Sequence, residues 1–178
     1  MGDAIMSLIQ GIEQHYAKIR HDRTFEHHKA TLDVVFSLKE SINDSDSELV
    51  DIKDFLFLRI KPIDKTHCPF LLYLGVGKQA KKLMFAYNLS APLFEMEIKE
   101  EIDLEEWIEE LQALLRAEVR EVLTYVRDRL IKSKYEYCFI LNGEKTIPYV
   151  YRTYNIGHLR YLFSKKENKR NSYRPWPI

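Results

Sequence analysis

Three stretches of this chain gather side chains capable of chemistry. Residues 15–29, HYAKIRHDRTFEHHK, hold four of the six histidines beside Asp22 and Glu26. His21 and His28 are seven apart and share a face only if one helix runs through both, and no HxxxH or HExxH spacing occurs. The stretch also falls where helical periodicity gives way to strand periodicity. A solvated connection, its charge following pH near the histidine value of about 6.5, fits these letters better than a phosphate patch or a metal site. In PLFEMEIK, Glu95, Glu97 and Lys99 point one way if the segment is a strand, and two carboxylates with a lysine can hold a divalent cation and position a water. Glu/Lys alternation on the wet face of a half-exposed strand produces the same letters. Between residues 145 and 178, Lys145, Arg152, Arg160, Lys165, Lys166, Lys169, Arg170 and Arg174 stand against Glu167 alone, interleaved with Tyr149, Tyr151, Tyr154, Tyr161, Tyr173 and Trp176. Cations neutralise phosphates and rings stack on bases, which is what a single-stranded nucleic-acid surface requires.

The acidic-x-Lys triple resembles the strand motif of the PD-(D/E)xK nucleases. That resemblance implies Mg²⁺ held by Glu95 and Glu97, with Lys99 beside the attacking water. The family also carries an Asp at the end of a neighbouring strand; KLMFAYNL offers Asn88 there, and Asp64 is the nearest carboxylate on another hairpin. GVGKQAKK is not a phosphate loop, because Leu72 and Gln79 occupy the positions that need Gly and Ser or Thr. His67 and Cys68 are neighbours that point to opposite sides of any strand, Cys138 sits in an apolar run, and no GxSxG occurs, so no nucleophile is assembled. Neither a cofactor nor a metal is expected.

The 178 residues carry 27 basic and 27 acidic side chains, so any charge argument is local. Two cysteines without a CxxC pair, no basic-then-apolar leader and no long apolar run lead us to expect a reduced, cytoplasmic protein outside the membrane. One domain over residues 1–178, ending in a basic tail at 165–178, is expected from length and from the lack of a linker.

These side chains need elements to position them. Ile5, Leu8, Ile9, Ile12, Tyr16 and Ile19 recur at helical spacing, predicting a helix over 4–20. Leu32, Val34, Phe36 and Leu38 alternate with polar residues, predicting a strand, with Val35 out of step. DFLFLRIKPI, PFLLYLGVG, KLMFAYNL and PLFEMEIK continue as strands. Leu104, Ile108, Leu111, Leu115, Val119, Val122, Val126 and Leu130 predict one long helix over 103–132, acidic at its start and basic at its end. A hairpin from YEYCFIL to IPYVYR and a short helix after Asn155 complete the chain. The expected class is α+β: an antiparallel meander of about five strands packed by one long helix, with an N-terminal helix and a C-terminal hairpin plus short helix.

Three functions follow from these features, in order of preference. The first is a non-catalytic nucleic-acid-binding accessory protein using Arg152, Tyr154, His158, Arg160, Lys165, Lys166, Lys169, Arg170, Arg174 and Trp176. The second is a protein-binding adaptor or inhibitor, or a self-associating homodimer, acting through 103–132. The third is the metal-dependent nuclease using Glu95, Glu97 and Lys99. Residues 95–121 hold eleven carboxylates against three cations, so the basic tail has an internal face on which it could dock instead of meeting a polyanion.

Overall fold

The computed structural model describes residues 6–19, 25–88, 91–141, 144–154 and 165–178. The first helix, α1 (Leu8–Ile19), buries Leu8, Ile12 and Ile19. Its start is held by Asp44, which accepts a hydrogen bond from the Ile9 N–H at 2.8 Å and so satisfies one of the free donors of the first turn. Gly11 lies so close to Leu49 that a Cβ there would sit 2.9 Å from the Leu49 Cβ.

The predicted strand at 31–39 is instead a helix, α2 (Glu26–Ser37). Its buried stripe is His28, Thr31, Leu32, Val35 and Leu38, at three- and four-residue steps. Val35, the residue out of step with the alternation, is fully buried, whereas Phe36 is only half-buried. Two of these five residues are polar, which hid the helical period from a reading of apolar positions.

The meander is present. Strands β1 (Met6–Ser7), β2 (Glu48–Ile52), β3 (Phe55–Ile60), β4 (Phe70–Gly75), β5 (Lys82–Tyr87) and β6 (Phe94–Glu97) form an antiparallel sheet in that order. Leu56, Leu58, Ile60, Phe70, Leu72, Leu74, Leu83 and Phe85 enter the main core from one face. Phe57, Leu71 and Ala86 form a small cluster on the other, as near-continuous apolar strands predict.

The long helix is half the expected length. α3 (Glu101–Leu115) starts where the Asp103 carboxylate accepts from the backbone N–H groups of Lys99 and Glu100, at 2.7 and 2.9 Å. It ends with its last carbonyls occupied: Leu114 accepts from the Tyr87 hydroxyl at 2.6 Å and Leu115 from the Trp176 N–H at 2.9 Å. The chain then becomes a β-hairpin, β7 (Glu118–Val126) and β8 (Arg129–Cys138), turning at Arg127 and Asp128 with φ of 48° and 62°. Positive φ at both central residues is what a two-residue hairpin turn of the twisted type requires. VLTYV is dominated by β-branched and aromatic residues, and those preferences outweigh the apolar spacing that suggested a continued helix. Self-association through one helix over 103–132 therefore loses its physical basis.

The short pair β9 (Ile140–Leu141) and β10 (Glu144–Lys145) precedes β11 (Tyr149–Tyr154), which pairs with β8 as the expected C-terminal hairpin. The helix expected after Asn155 lies outside the described residues. The basic tail is a strand, β12 (Glu167–Tyr173), paired along its whole length with β7, so the second sheet runs β11-β8-β7-β12. The class is α+β, and one contiguous core runs from Leu8 to Trp176. Among the described residues no helix is long and apolar enough to cross a membrane.

Candidate nucleic-acid interface

Directly opposed residues of an antiparallel ladder share a face, so the register of the second sheet sorts its side chains. One row across the four strands is Arg152, Lys134, Val122 and Arg170; the next is Val150, Glu136, Arg120 and Ser172. A third row sets Lys132 beside Thr124 and Asn168. The alternate positions Val119, Glu121, Leu123, Ile131, Ser133 and Tyr135 are all buried, which fixes the rows above as the solvent side. Five cations thus share one open face with only two carboxylates, Glu118 and Glu136. Lys134 forms a charge-assisted hydrogen bond to Glu136. That bond, with the positive charges of Lys134, Arg120 and Arg152 around it, holds the Glu136 carboxyl below its ordinary value. Arg120, Arg152 and Arg170 are exposed and form no ion pair among the described residues.

Beneath this face lies an acid that the sequence did not single out. Glu121 is 1% exposed and has no cation within ion-pair distance among the described residues. Its Oε1 accepts from Asn88 Nδ2 at 2.9 Å and the Tyr135 hydroxyl at 2.6 Å; its Oε2 accepts from Asn171 Nδ2 at 2.7 Å and the Tyr173 hydroxyl at 2.9 Å. Four neutral donors satisfy the carboxylate, as a buried charge demands. Burial, then the negative charge of Glu121, pushes the Tyr173 hydroxyl far up, so it stays protonated and donating. This node, not an ion pair, docks the tail: the neutral residues of β12 bind inward and its cations remain outside.

The interleaving of rings and charges in the sequence is separated by the pleat. Tyr149 and Tyr151 alternate with Val150 and Arg152, and the rings face away from the cations. Tyr149 stacks on Tyr137 with centroids 5.4 Å apart, and the Tyr151 hydroxyl donates to the Pro92 carbonyl at 3.0 Å. Trp176 is 4% exposed, and its indole N–H donates to the Cys68 carbonyl at 2.9 Å. It belongs to the core and cannot stack on a base. Of the other proposed contacts, Lys165, Lys166, Lys169 and Arg174 are exposed; Lys169 Nζ also lies 5.0 Å from the centroid of the Tyr125 ring. Tyr154 pairs with Lys132 at the end of β11. His158 and Arg160 lie outside the described residues. Arg120 and Lys132 went unrecognised because they fell in the segment read as helix, and Lys134 because it fell between that segment and the hairpin; the β-branched run at 122–126 was the available signal.

The outer edge of β12, which pairs with no further strand among the described residues, borders a groove with a volume of about 560 Å³, whose far wall is the loop after β3. Lys61, Lys65, His67 and Arg170 line it, with Asp46 as the acid among the lining residues. His67 is half-buried and stacked on Trp176, centroids 5.4 Å apart and planes 27° apart.

The other two chemical stretches take different places. Glu95 is 2.6 Å from Lys82 and Glu97 is 3.5 Å from Lys99, all on or beside the edge strand β6. Among the described residues no three of His, Cys, Asp and Glu stand together as a metal site. The histidine stretch is not a solvated connection where it is described: His27 and His28 are buried in α2. His28 Nε2 lies 2.8 Å from the Gly75 carbonyl, which only accepts, so this nitrogen carries the proton and Nδ1 receives a bond from His15 Nε2 at 3.2 Å. His27 Nε2 donates to the Ala80 carbonyl at 2.5 Å. Burial, then the neighbouring His27 and His15, lowers the His28 value to about 3. Burial and Lys18 lower His15 to about 4 against a small opposing effect of Asp51, and burial lowers His27 as well. No protein-family model, curated protein or solved structure matches this chain.

Proposed function

We propose that this chain is a non-catalytic nucleic-acid-binding protein that grips the phosphate backbone with the open face of its second sheet. The observation supporting this reading is the convergence of Arg120, Lys132, Lys134, Arg152 and Arg170, from four strands, on one solvent face carrying two carboxylates. Side chains held on a paired sheet are presented at a fixed spacing, and cations at fixed spacing displace the counterions condensed on a polyanion. Tyr149 and Tyr151 lie on the other side of the sheet, so the contacts its cations make go to phosphates and carry no sequence information. With zero net charge over the whole chain, attraction is confined to the face and short in range at physiological salt.

A labelled single strand and a duplex, titrated at low and physiological salt, test this reading. Each neutralised phosphate contributes about −0.7 to −0.9 to the slope of log affinity against log salt. Replacing Arg120, Arg152 and Arg170 together by Ala should flatten the slope by about 2 to 3 and weaken binding at low salt at least tenfold, on that same counting. No measurable binding at low salt, or a slope indifferent to the triple substitution, ends the proposal.

A further inference from the structure

Resting on the nucleic-acid reading above, we infer that the groove beside β12 seats one unpaired base, which makes single-stranded nucleic acid, rather than a duplex, the ligand of the basic face. The row Arg152, Lys134, Val122, Arg170 crosses the sheet perpendicular to its strands, and Arg170, at its end, also lines the groove. With strands about 4.8 Å apart this row is about 14 Å long, and it delivers a backbone lying on it to the groove mouth. Lys61 and Lys65 continue the positive charge on the opposite wall. A phosphate chain leaving the face is therefore met by cations on both sides of the cleft, with Asp46 the acid lining it.

Beside the row of cations, the groove supplies a ring. His67 offers a half-exposed ring whose other side rests on Trp176. Trp176 is itself fixed edge-on against Phe70, with centroids 5.2 Å apart, and by its indole N–H bond to Cys68. A ring clamped in this way loses little freedom when a base lies on it, and histidine is one of the ring side chains on which unpaired bases stack. The volume of 560 Å³ falls within the range of about 300 to 1,000 Å³ of sites that bury a small organic ligand. Bases of a duplex are paired and stacked inside the helix and cannot enter such a cleft without being flipped out. The outer edge of β12 could also add the strand of an acidic peptide, but that mode reads backbone and leaves the His67 ring unused.

Fluorescence anisotropy with a short labelled single strand, its duplex and its abasic counterpart tests the inference. The full chain should bind the single strand about tenfold more tightly than the duplex, the scale expected for stacking one base. His67→Ala should remove about tenfold from binding of the base-bearing strand and less than about twofold from the abasic one. His67→Phe, which keeps a ring against Trp176, should restore the difference. Lys61→Ala with Lys65→Ala should weaken both strands alike. Equal affinity for strand and duplex, or the same loss on base-bearing and abasic strands, overturns the groove. If the Arg120, Arg152, Arg170 substitution still weakens binding in that case, the basic face stands without it. Absence of binding to every nucleic acid ends both, and capture of an acidic peptide unaffected by His67→Ala points to strand addition on β12 instead.

Discussion

Two buried polar nodes hold this molecule together, one on each sheet, and they are built on opposite principles. Behind the first sheet, His15, His27 and His28 tie the two N-terminal helices to the carbonyls of Gly75 and Ala80 in the turn between β4 and β5. Gly75 is required there because a Cβ would overlap the Gln79 carbonyl. Behind the second sheet, Glu121 gathers four donors: Asn88 just after β5, Tyr135 within β8, and Asn171 and Tyr173 on β12. The histidine node is a set of neutral groups in which each ring both packs and bonds, so losing one bond leaves neutral neighbours. The Glu121 node is one acceptor shared by four donors, so everything depends on a single side chain. It follows that the nodes should fail under different insults: the first under acid, the second under substitution at its centre.

The largest effect should come from Glu121→Ala. That change removes the acceptor of four donors at once: the Tyr135 hydroxyl is fully buried beside an acid that was 1% exposed, Asn88 and Tyr173 are half-buried, and Asn171 is open to water. Each donor left away from solvent without an acceptor costs about 1 to 3 kcal/mol, and chemical denaturation should read a loss of at least about 3 kcal/mol. Hydrogen exchange should show β12 released first, since Asn171 and Tyr173 have lost their inward anchor. Unchanged protection of residues 167–173 would mean that the backbone ladder to β7, or the burial of Trp176, holds the tail without Glu121. The comparison between the two nodes would then collapse.

Acid should separate the nodes next. In the unfolded chain a histidine takes up a proton near pH 6.5, whereas His15 and His28 resist it in the fold until about pH 4 and 3. Between those limits the unfolded state binds more protons, so stability is complete above about pH 6.5 and is lost progressively as the pH falls toward 3. Fully buried His28 sets the steepest part of that loss, at most about 1.4 kcal/mol per pH unit. Lys18 and Asp51 beside His15, and Lys81 beside His27, modulate it in opposite senses. His28→Gln should flatten stability between pH 6.5 and 4 at some cost at neutral pH; an equally steep decline in that variant would assign the acid sensitivity elsewhere.

Both nodes explain what the amino-acid pattern revealed and what it concealed. Strands β3 to β5 were legible because burial on both faces leaves apolar runs that punctuation by Pro62, Pro69 and Pro92 cuts to length, and β6 from its alternation of apolar and charged residues. The first helix was legible from one clean stripe. Helix α2 was not, because His27, His28 and Thr31 occupy inward positions with hydrogen bonds that make polar side chains behave as core. The same holds at β12, where Asn171 and Tyr173 fill the inward positions and no apolar alternation marks a strand. At β7 the obstacle was a coincidence of spacing, since Val119, Val122 and Val126 lie on one face of a helix but on alternating sides of a strand. The cations of the open face were visible in the sequence; that Arg152 and Arg170 meet Arg120, Lys132 and Lys134 required a register that only tertiary pairing sets.

The smallest effect sharpens the comparison from the other side. Glu121 and Tyr135 are directly opposed in the β7–β8 hairpin, so their hydrogen bond inherits its geometry from the turn at Arg127 and Asp128. Both turn residues adopt positive φ, a conformation that costs an arginine more than it costs asparagine or glycine. Replacing the pair by Asn-Gly relieves that cost but adds the chain entropy of glycine to the unfolded state, leaving a net gain of about 0.5 kcal/mol. The gain should appear as slower exchange along β7 and β8, including the amides flanking Glu121, and should leave the acid profile set by His28 where it was. Were the acid profile to shift with the turn, the two nodes would belong to one cooperative unit, and the independence argued from their construction would have to be given up.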